Sequence, residues 1–242
     1  MTTSMHVLSL FTGIGGLDLG LERAGMTIAG QVEIDPWCRK VLAKHWPEVP
    51  RHDDVRTAVD WWGSIGRCAV HVVAGGFPCQ PFSYAGLQRG VEDPRWLWPA
   101  FADVIAALRP RHVILENVAA LVRDGIAFGW ILADLHRLGF DAEWSIVSAC
   151  SLGASHTRDR LFLVADSDRE RSQGLHDAVG RIDLQPVAAD LRRLWVPEPG
   201  LARVANGIPG RVDRTRGLGN AVVPQVAEHI GRLILTHATE TA

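Results

Sequence analysis

Cys79 is the first side chain whose type and position suggest chemistry. It lies between Pro78 and Pro81, shortly after the apolar, β-branched run 70–74, so we expect it in a stiff turn at the carboxyl end of a strand. Ligands of open α/β sheets bind at that edge, where a thiol could act as a nucleophile. A buried structural cysteine is the alternative, and position alone leaves both open.

Three charged side chains occupy comparable places later in the chain. Glu116 follows a short apolar strand predicted at 112–115, and Arg158 and Arg160 alternate at the start of another strand, on one face of it. A carboxyl group there could exchange protons, and two arginines could hold an anion. Ordinary solvated side chains are the alternative for each of them.

A glycine-rich segment near the amino terminus suggests a ligand pocket. Residues 12–16 separate a predicted strand from a helix, which lets a ligand approach backbone amides, although Gly-x-Gly-Gly is not the dinucleotide fingerprint. Glu33 ends the second strand, a little under about 20 residues further on, where an acidic residue commonly binds ribose hydroxyls. A plain turn, and a helix start at Glu33 and Asp35, are the alternatives; together the two features favour a nucleoside.

Apolar spacing predicts the elements that must position these side chains. The predicted strands are 5–11, 27–32, 70–74, 112–115, 144–149 and 161–165, and the predicted helices are 17–24, 36–43, 97–108, 126–138 and 226–234. Residues 84–95 are expected to form a mobile loop, and the composition shifts to charge, Gly, Pro and Gln at 166–199. The alternation predicts an α/β fold with a mostly parallel sheet flanked by helices.

Composition excludes several classes of protein. The 242 residues carry a net charge of −2 and are 47% hydrophobic, which suits one large domain or one domain with a small appendage. Without a long apolar run or a secretory signal, we expect a soluble intracellular protein with no membrane partner. The four cysteines form no C-x-x-C pair, so we expect free thiols and no metal. Lys40 and Lys44 are the only lysines, and the many arginines suit phosphate contacts or reflect a GC-rich genome.

Six blocks of the sequence together resemble the DNA (cytosine-5)-methyltransferase family. They occur in the family's order and span most of residues 5–165 and 200–237. The blocks are Phe11-Thr12-Gly13-Ile14-Gly15-Gly16, Glu33, Pro78-Cys79-Gln80-Pro81-Phe82-Ser83, Glu116-Asn117-Val118, Arg158-Asp159-Arg160 and Gly219-Asn220-Ala221-Val222-Val223-Pro224.

The resemblance implies a Rossmann-like class I methyltransferase fold. Residues 1–165 would form the catalytic and cofactor-binding domain, 166–200 a reduced target-recognition region, and 201–242 a segment that returns to the first domain. The implied reaction transfers a methyl group from S-adenosyl-L-methionine to carbon 5 of cytosine in DNA, through a covalent adduct with a flipped base. Cys79 would attack carbon 6, and Glu116 would hold a proton near ring nitrogen 3. Arg158 and Arg160 would hold the base carbonyl and nearby phosphate or structural contacts.

The resemblance also implies where the cofactor binds. Phe11 would lie near the adenine or sulfonium group, Glu33 would bind the ribose, Ile34 would pack on adenine, and Asp54 would contact the adenine amine. The remaining residues implied in the cofactor site are Gly13, Ile14, Gly15, Gly16, Val55, Pro78, Asn220 and Val222.

Two features depart from the family pattern. His156 stands where the arginine block usually begins with Gln, and the stretch between Ala165 and Leu201 is far shorter than the usual recognition domain. Specificity could then be for a very short site, come from a partner subunit or homo-oligomer, or be largely lost. An RNA (tRNA) cytosine-5 methyltransferase and a DNA-binding regulatory protein are the alternatives to a prokaryotic or phage restriction-modification or self-protection enzyme.

Overall fold

The computed structural model describes residues 4–66, 68–78, 96–154, 156–167 and 217–240. The predicted loop 84–95, Cys79 and most of the predicted recognition region lie outside these ranges. The strands are β1 (His6–Leu10), β2 (Thr27–Val32), β3 (Arg51–His52), β4 (Val72–Gly75), β5 (His112–Val118), β6 (Asp141–Val147) and β7 (Arg160–Asp166). The helices are α1 (Gly16–Ala24), α2 (Pro36–His45), α3 (Ala58–Ser64), α4 (Trp98–Leu108), α5 (Ala120–Arg123), α6 (Gly125–Arg137) and α7 (Pro224–Glu240).

The strands form one sheet in the order β3-β2-β1-β4-β5-β7-β6. The pairs among β1 to β5 are parallel, whereas β7 is antiparallel to both β5 and β6. The prediction of a mostly parallel sheet flanked by helices is therefore confirmed. Because β7 runs in the opposite direction, its first residue, Arg160, lies beside Val118 at the end of β5.

Each face of the sheet buries its own hydrophobic cluster. Leu8 and Leu10 of β1 point to the side covered by α3, α4 and α6, where Phe101 is fully buried. Val7 points to the other side, which α1 and α7 cover. Alternation along β1 thus supplies both layers, and each large side chain buried in them contributes roughly 2 kcal/mol.

The last helix packs against the first. A Cβ placed on Gly20 would come within 2.4 Å of the Pro224 carbonyl oxygen, and one on Gly16 within 2.3 Å of the Val222 carbonyl oxygen. Only glycine permits backbones to approach so closely. The last helix, α7, therefore lies beside α1 in the layer of helices that covers one face of the sheet.

Several predicted boundaries differ from the structure. The strand predicted at 112–115 continues to Val118, so Glu116 and Asn117 lie within β5. The strand predicted at 144–149 spans Asp141–Val147, and Ala149 begins a 3₁₀ turn. Polar residues of the edge strand β6 interrupt the apolar pattern, which is why its start was misplaced. The short elements β3 and α3 carry no clear periodicity and are additional.

None of the helices in the described ranges is long and apolar enough to cross a membrane. Of the three described cysteines, Cys38 is buried, whereas Cys68 and Cys150 are exposed free thiols. In the same parts of the chain, no group of three or more His, Cys, Asp or Glu side chains is placed to hold a metal ion.

Candidate active site

A cavity of about 240 Å³ lies at the carboxyl ends of β1, β2, β4 and β5. It gathers residues that are far apart in the sequence. The predicted site residues that line it are Phe11, Gly13, Glu33, Ile34, Asp54, Val55, Pro78, Glu116, Arg160, Asn220 and Val222.

The glycine loop between β1 and α1 turns sharply beneath this cavity. Phe11, Gly13 and Gly15 have left-handed backbone angles, with φ of 53°, 58° and 85°. Gly13 borders the cavity, and a Cβ on it would have no neighbour within 4 Å. Ile14, Gly15 and Gly16 are not among the described lining residues. A Cβ on Gly15 would lie 2.5 Å from the Trp46 ring, so only glycine permits this close packing.

Glu33 and Asp35 have different roles. The Glu33 carboxylate accepts hydrogen bonds from the backbone amides of Gly13, at 2.7 Å, and Asp35, at 2.8 Å, while it borders the cavity. The Asp35 side chain caps α2 by accepting from the amides of Trp37 and Cys38. The helix-start alternative thus holds for Asp35, and Glu33 is fixed as an acceptor at the cavity wall.

Ile34 and Asp54 complete that wall on the β2 and β3 side. Ile34 is 64% exposed although it is large and apolar, so it presents a bare hydrophobic surface. Asp54 accepts from the backbone N–H and Nε of Arg56, both at 3.0 Å. The backbone bond from Arg56 is the main reason that the pKa of Asp54 lies below its usual value. Asp54 is therefore ionised at neutral pH.

Glu116 is the titratable group at the centre of the β5 end. It is 8% exposed, and the Nε of Arg160 lies 3.1 Å from its Oε1. Burial raises the pKa of Glu116 to about 7, against the opposing effect of the charges on Arg160 and Arg158. Near neutral pH this carboxyl group is thus present in both protonation states, which suits proton exchange.

The segment that leads into Cys79 is anchored at the same place. The side-chain amide of Asn117 donates to the Phe77 carbonyl oxygen at 3.2 Å, and a Cβ on Gly76 would lie 2.7 Å from Glu116 Oε2. Pro78 borders the cavity. Cys79 itself lies outside the described residues, and the chain enters it from the cavity wall.

The two arginines predicted as a pair point to different partners. Arg160 lines the cavity and pairs with Glu116. The Nη2 of Arg158 donates to the carbonyl oxygens of Gly219 and Ala221, each at 2.7 Å, and Arg158 has φ of 33°. Arg158 therefore holds residues 217–223, the late segment, which contributes Asn220 and Val222 to the cavity.

Some lining residues are given no role in the site by the sequence patterns. Asp53, Thr12 and Asn117 also border the cavity. Asn117 follows Glu116 directly and Asp53 precedes Asp54, so their position beside other candidates is the signal that could have identified them.

The sheet order and the flanking helices define an α/β fold that is shared with solved methyltransferase structures. The Entamoeba histolytica methyltransferase EhMeth superposes with a TM-score of 0.59 at 22% identity, over 69% of this chain and 54% of that chain. This likeness shows the shared fold.

Residues 5–185 match the family model of the C-5 cytosine-specific DNA methylases, and the chain belongs to that family. Type II methyltransferase M.HgiBI of Herpetosiphon aurantiacus is 34% identical over 161 residues, which is 65% of this chain and 36% of that protein. Type II methyltransferase M.DsaV of Dactylococcopsis salina is 30% identical over 198 residues, 80% of this chain and 55% of that protein. The chain thus spans about a third to about half the length of these relatives.

Proposed function

We propose that this chain transfers a methyl group from S-adenosyl-L-methionine to carbon 5 of cytosine in DNA. The observation that carries the proposal is Glu116, a buried carboxyl group with a pKa of about 7 that pairs with Arg160 in the same cavity as Pro78 and the glycine loop. Membership of the C-5 cytosine-specific DNA methylase family supports the choice of base and position.

The proposed reaction uses Cys79 and Glu116 in turn. The Cys79 thiolate adds to carbon 6, and protonated Glu116 gives a proton toward ring nitrogen 3, so that carbon 5 becomes a nucleophilic enamine. After carbon 5 takes up the methyl group, water accepts the proton from carbon 5, expulsion of the thiolate restores the aromatic ring, and ring nitrogen 3 returns its proton to Glu116. Arg160 stabilises negative charge on the base carbonyl oxygen.

The residues of the cavity fit the cofactor. The open space beside Gly13 admits a ligand to the loop backbone, the fixed carboxylate of Glu33 can accept from ribose hydroxyls, and exposed Ile34 can pack on a flat ring. Asp54 supplies an ionised acceptor nearby. When bound, S-adenosyl-L-methionine supplies an electrophilic methyl group.

The burial of Glu116 supports base flipping. A carboxyl group that is 8% exposed cannot be reached by a cytosine stacked inside a duplex. The target base must therefore leave the stack to contact it, as enzymes that modify bases generally require.

Cytosine fluorinated at carbon 5 tests the covalent step, because the fluorine cannot leave as a proton would. The full chain is incubated with cofactor and with duplex DNA that carries the fluorinated base throughout, and with tRNA in parallel. We expect a denaturation-resistant complex with DNA that Cys79→Ala abolishes. Cys68→Ala, which changes an exposed free cysteine, is the matched control and should retain trapping. Trapping that survives Cys79→Ala would refute the nucleophile.

Genomic DNA from a host without cytosine methylation tests the substrate. It is treated with the chain and cofactor and sequenced after bisulfite conversion. Protected cytosines support the proposal and reveal the target site. Unmodified DNA, from protein that binds S-adenosyl-L-homocysteine, would overturn it, and trapping of tRNA alone would transfer the activity to RNA.

A further inference from the structure

Asp18 is a fully buried carboxylate that lies outside the catalytic residues described above. It belongs to the first turn of α1 and is 0% exposed. The Ser9 hydroxyl of β1 donates to its Oδ1 at 2.6 Å, and the Gln31 side-chain amide of β2 donates to its Oδ2 at 2.7 Å. Both oxygens of the carboxylate are thus used to join two strands to one helix.

These hydrogen bonds bracket the glycine loop. Ser9 borders the cavity and precedes the loop, whereas Asp18 follows it. Between them, Phe11 adopts φ of 53°, which is unfavourable for a residue other than glycine, and Thr12 donates its hydroxyl to the Ser9 carbonyl oxygen at 3.1 Å. A loop with this backbone persists only if the surrounding structure holds its two ends, and Asp18 makes that connection.

We propose that Asp18 is a positioning residue for the cofactor: its hydrogen bond from Ser9 joins the two ends of the glycine loop, and its hydrogen bond from Gln31 ties the loop to β2, in the shape that binds S-adenosyl-L-methionine. This inference rests on the proposed function. Asp18 does not border the cavity, so it acts through the loop and through Ser9.

The two hydrogen bonds that Asp18 accepts require its ionised state. A carboxylate accepts two hydrogen bonds from Ser9 and Gln31, whereas a protonated carboxyl group carries a hydrogen on one oxygen and disturbs one of them. Desolvation raises the pKa of Asp18 to about 6, and the bonds from Ser9 and Gln31 limit that rise. Lowering the pH through 6 therefore weakens the hydrogen bonding of Asp18 to Ser9 and Gln31.

The surroundings of Asp18 contain few other charges that bear on this titration. The charged or titratable groups on the elements packed around it are Glu22 and Arg23 on α1, His6 on β1, Arg51 and His52 on β3, and Glu228, His229, Arg232 and His237 on α7. Glu22 raises the pKa of Asp18 slightly, Arg51 donates to Gln31, and Glu228 pairs with Arg232. A variant of Asp18 isolates its contribution because these groups stay unchanged.

The test measures S-adenosyl-L-homocysteine binding by calorimetry from pH 5 to pH 8. Asp18→Asn is neutral and carries hydrogen on one of its two terminal side-chain atoms, as the protonated carboxyl group does, but it does not titrate; Asp18→Leu removes both hydrogen bonds at similar volume. Glu22→Gln, which changes an exposed acidic residue of the same helix, is the control. Thermal unfolding of each protein is followed over the same pH range.

At pH 8 we expect Asp18→Asn to bind about tenfold more weakly than the wild type, as the protonated carboxyl group does at low pH, and Asp18→Leu to bind at least about tenfold more weakly. Between pH 8 and pH 5 the wild type should lose about tenfold more affinity than Asp18→Asn, and Glu22→Gln should follow the wild type. The unfolding temperature should change in the opposite direction to the binding affinity. Because the folded pKa is raised, Asp18→Asn is stabilised over the wild type at pH 8 and not at low pH.

The outcomes separate the inference from the proposed function. Equal pH profiles of binding in wild type and Asp18→Asn, or normal binding by Asp18→Leu, would overturn the positioning role while cofactor binding stands. If Asp18→Leu does not fold, the comparison of wild type with Asp18→Asn decides alone. A wild-type chain that binds no S-adenosyl-L-homocysteine at any pH would overturn the cofactor assignment and this inference with it.

Discussion

Glu116→Gln should make the folded chain more stable at pH 8 while it removes activity. Raising the pKa of Glu116 from 4.5 to about 7 costs the folded state about 3 kcal/mol once the carboxyl group is ionised. The sign follows from the raised pKa, because the unfolded chain releases the proton more readily. The cost is therefore complete above pH 7 and shrinks as the pH falls toward 4.5. Glutamine removes the titrating proton and with it the cost.

Urea unfolding at pH 5, 6, 7 and 8, followed by tryptophan fluorescence, measures this effect. Relative to wild type, Glu116→Gln should gain about 3 kcal/mol at pH 8 and less than about 1 kcal/mol at pH 5. Methyl transfer should fall by about 10²-fold or more, because the amide cannot give up a proton. Glu22→Gln should show no pH-dependent gain. A stability difference for Glu116→Gln that does not grow with pH would refute the view that burial controls this carboxyl group.

Two further predictions concern the late segment. Gly16→Ala should destabilise the fold by about 2 kcal/mol or more, because its Cβ would lie 2.3 Å from the Val222 carbonyl oxygen. The control Gly129→Ala, which has open space around it in α6, should stabilise the fold by about 0.5–1 kcal/mol. Equal urea unfolding midpoints of the two variants would contradict this prediction. Arg158→Ala should weaken S-adenosyl-L-homocysteine binding, measured by calorimetry, by about tenfold, because it removes two hydrogen bonds to the backbone. Arg160→Ala should leave this binding nearly unchanged. If Arg160→Ala weakens binding more than Arg158→Ala does, Arg160 and not Arg158 supports the cofactor site.

Much of the cofactor side of the cavity can be predicted from local sequence. A strand, a glycine turn and a helix place Gly13, and the end of the second strand places Glu33, because each feature depends on neighbours along the chain. The close packing on Gly15 and Gly16 could not be predicted. It depends on Trp46 and Val222, which reach these glycines from distant parts of the chain.

The catalytic side depends on strand direction, which the apolar pattern does not encode. A strand at 161–165 can be predicted, but its antiparallel placement between β5 and β6 is what brings Arg160 to Glu116. The same limit applies to Arg158, whose spacing from Arg160 suggested a common anion. Its positive φ turns it to the carbonyl groups of Gly219 and Ala221.

If the cavity binds the cofactor as proposed, the late segment couples that binding to the packing of the last helix. Asn220 and Val222 border the cavity, Arg158 holds the carbonyl groups on either side of Asn220, and Gly16 lies against Val222. These contacts lie where α7 packs on α1. Asp18, in the first turn of α1, accepts the hydrogen bond from Ser9. A ligand that needs both walls binds only the packed state, and it must therefore stabilise the junction of α1 and α7 by its own binding free energy.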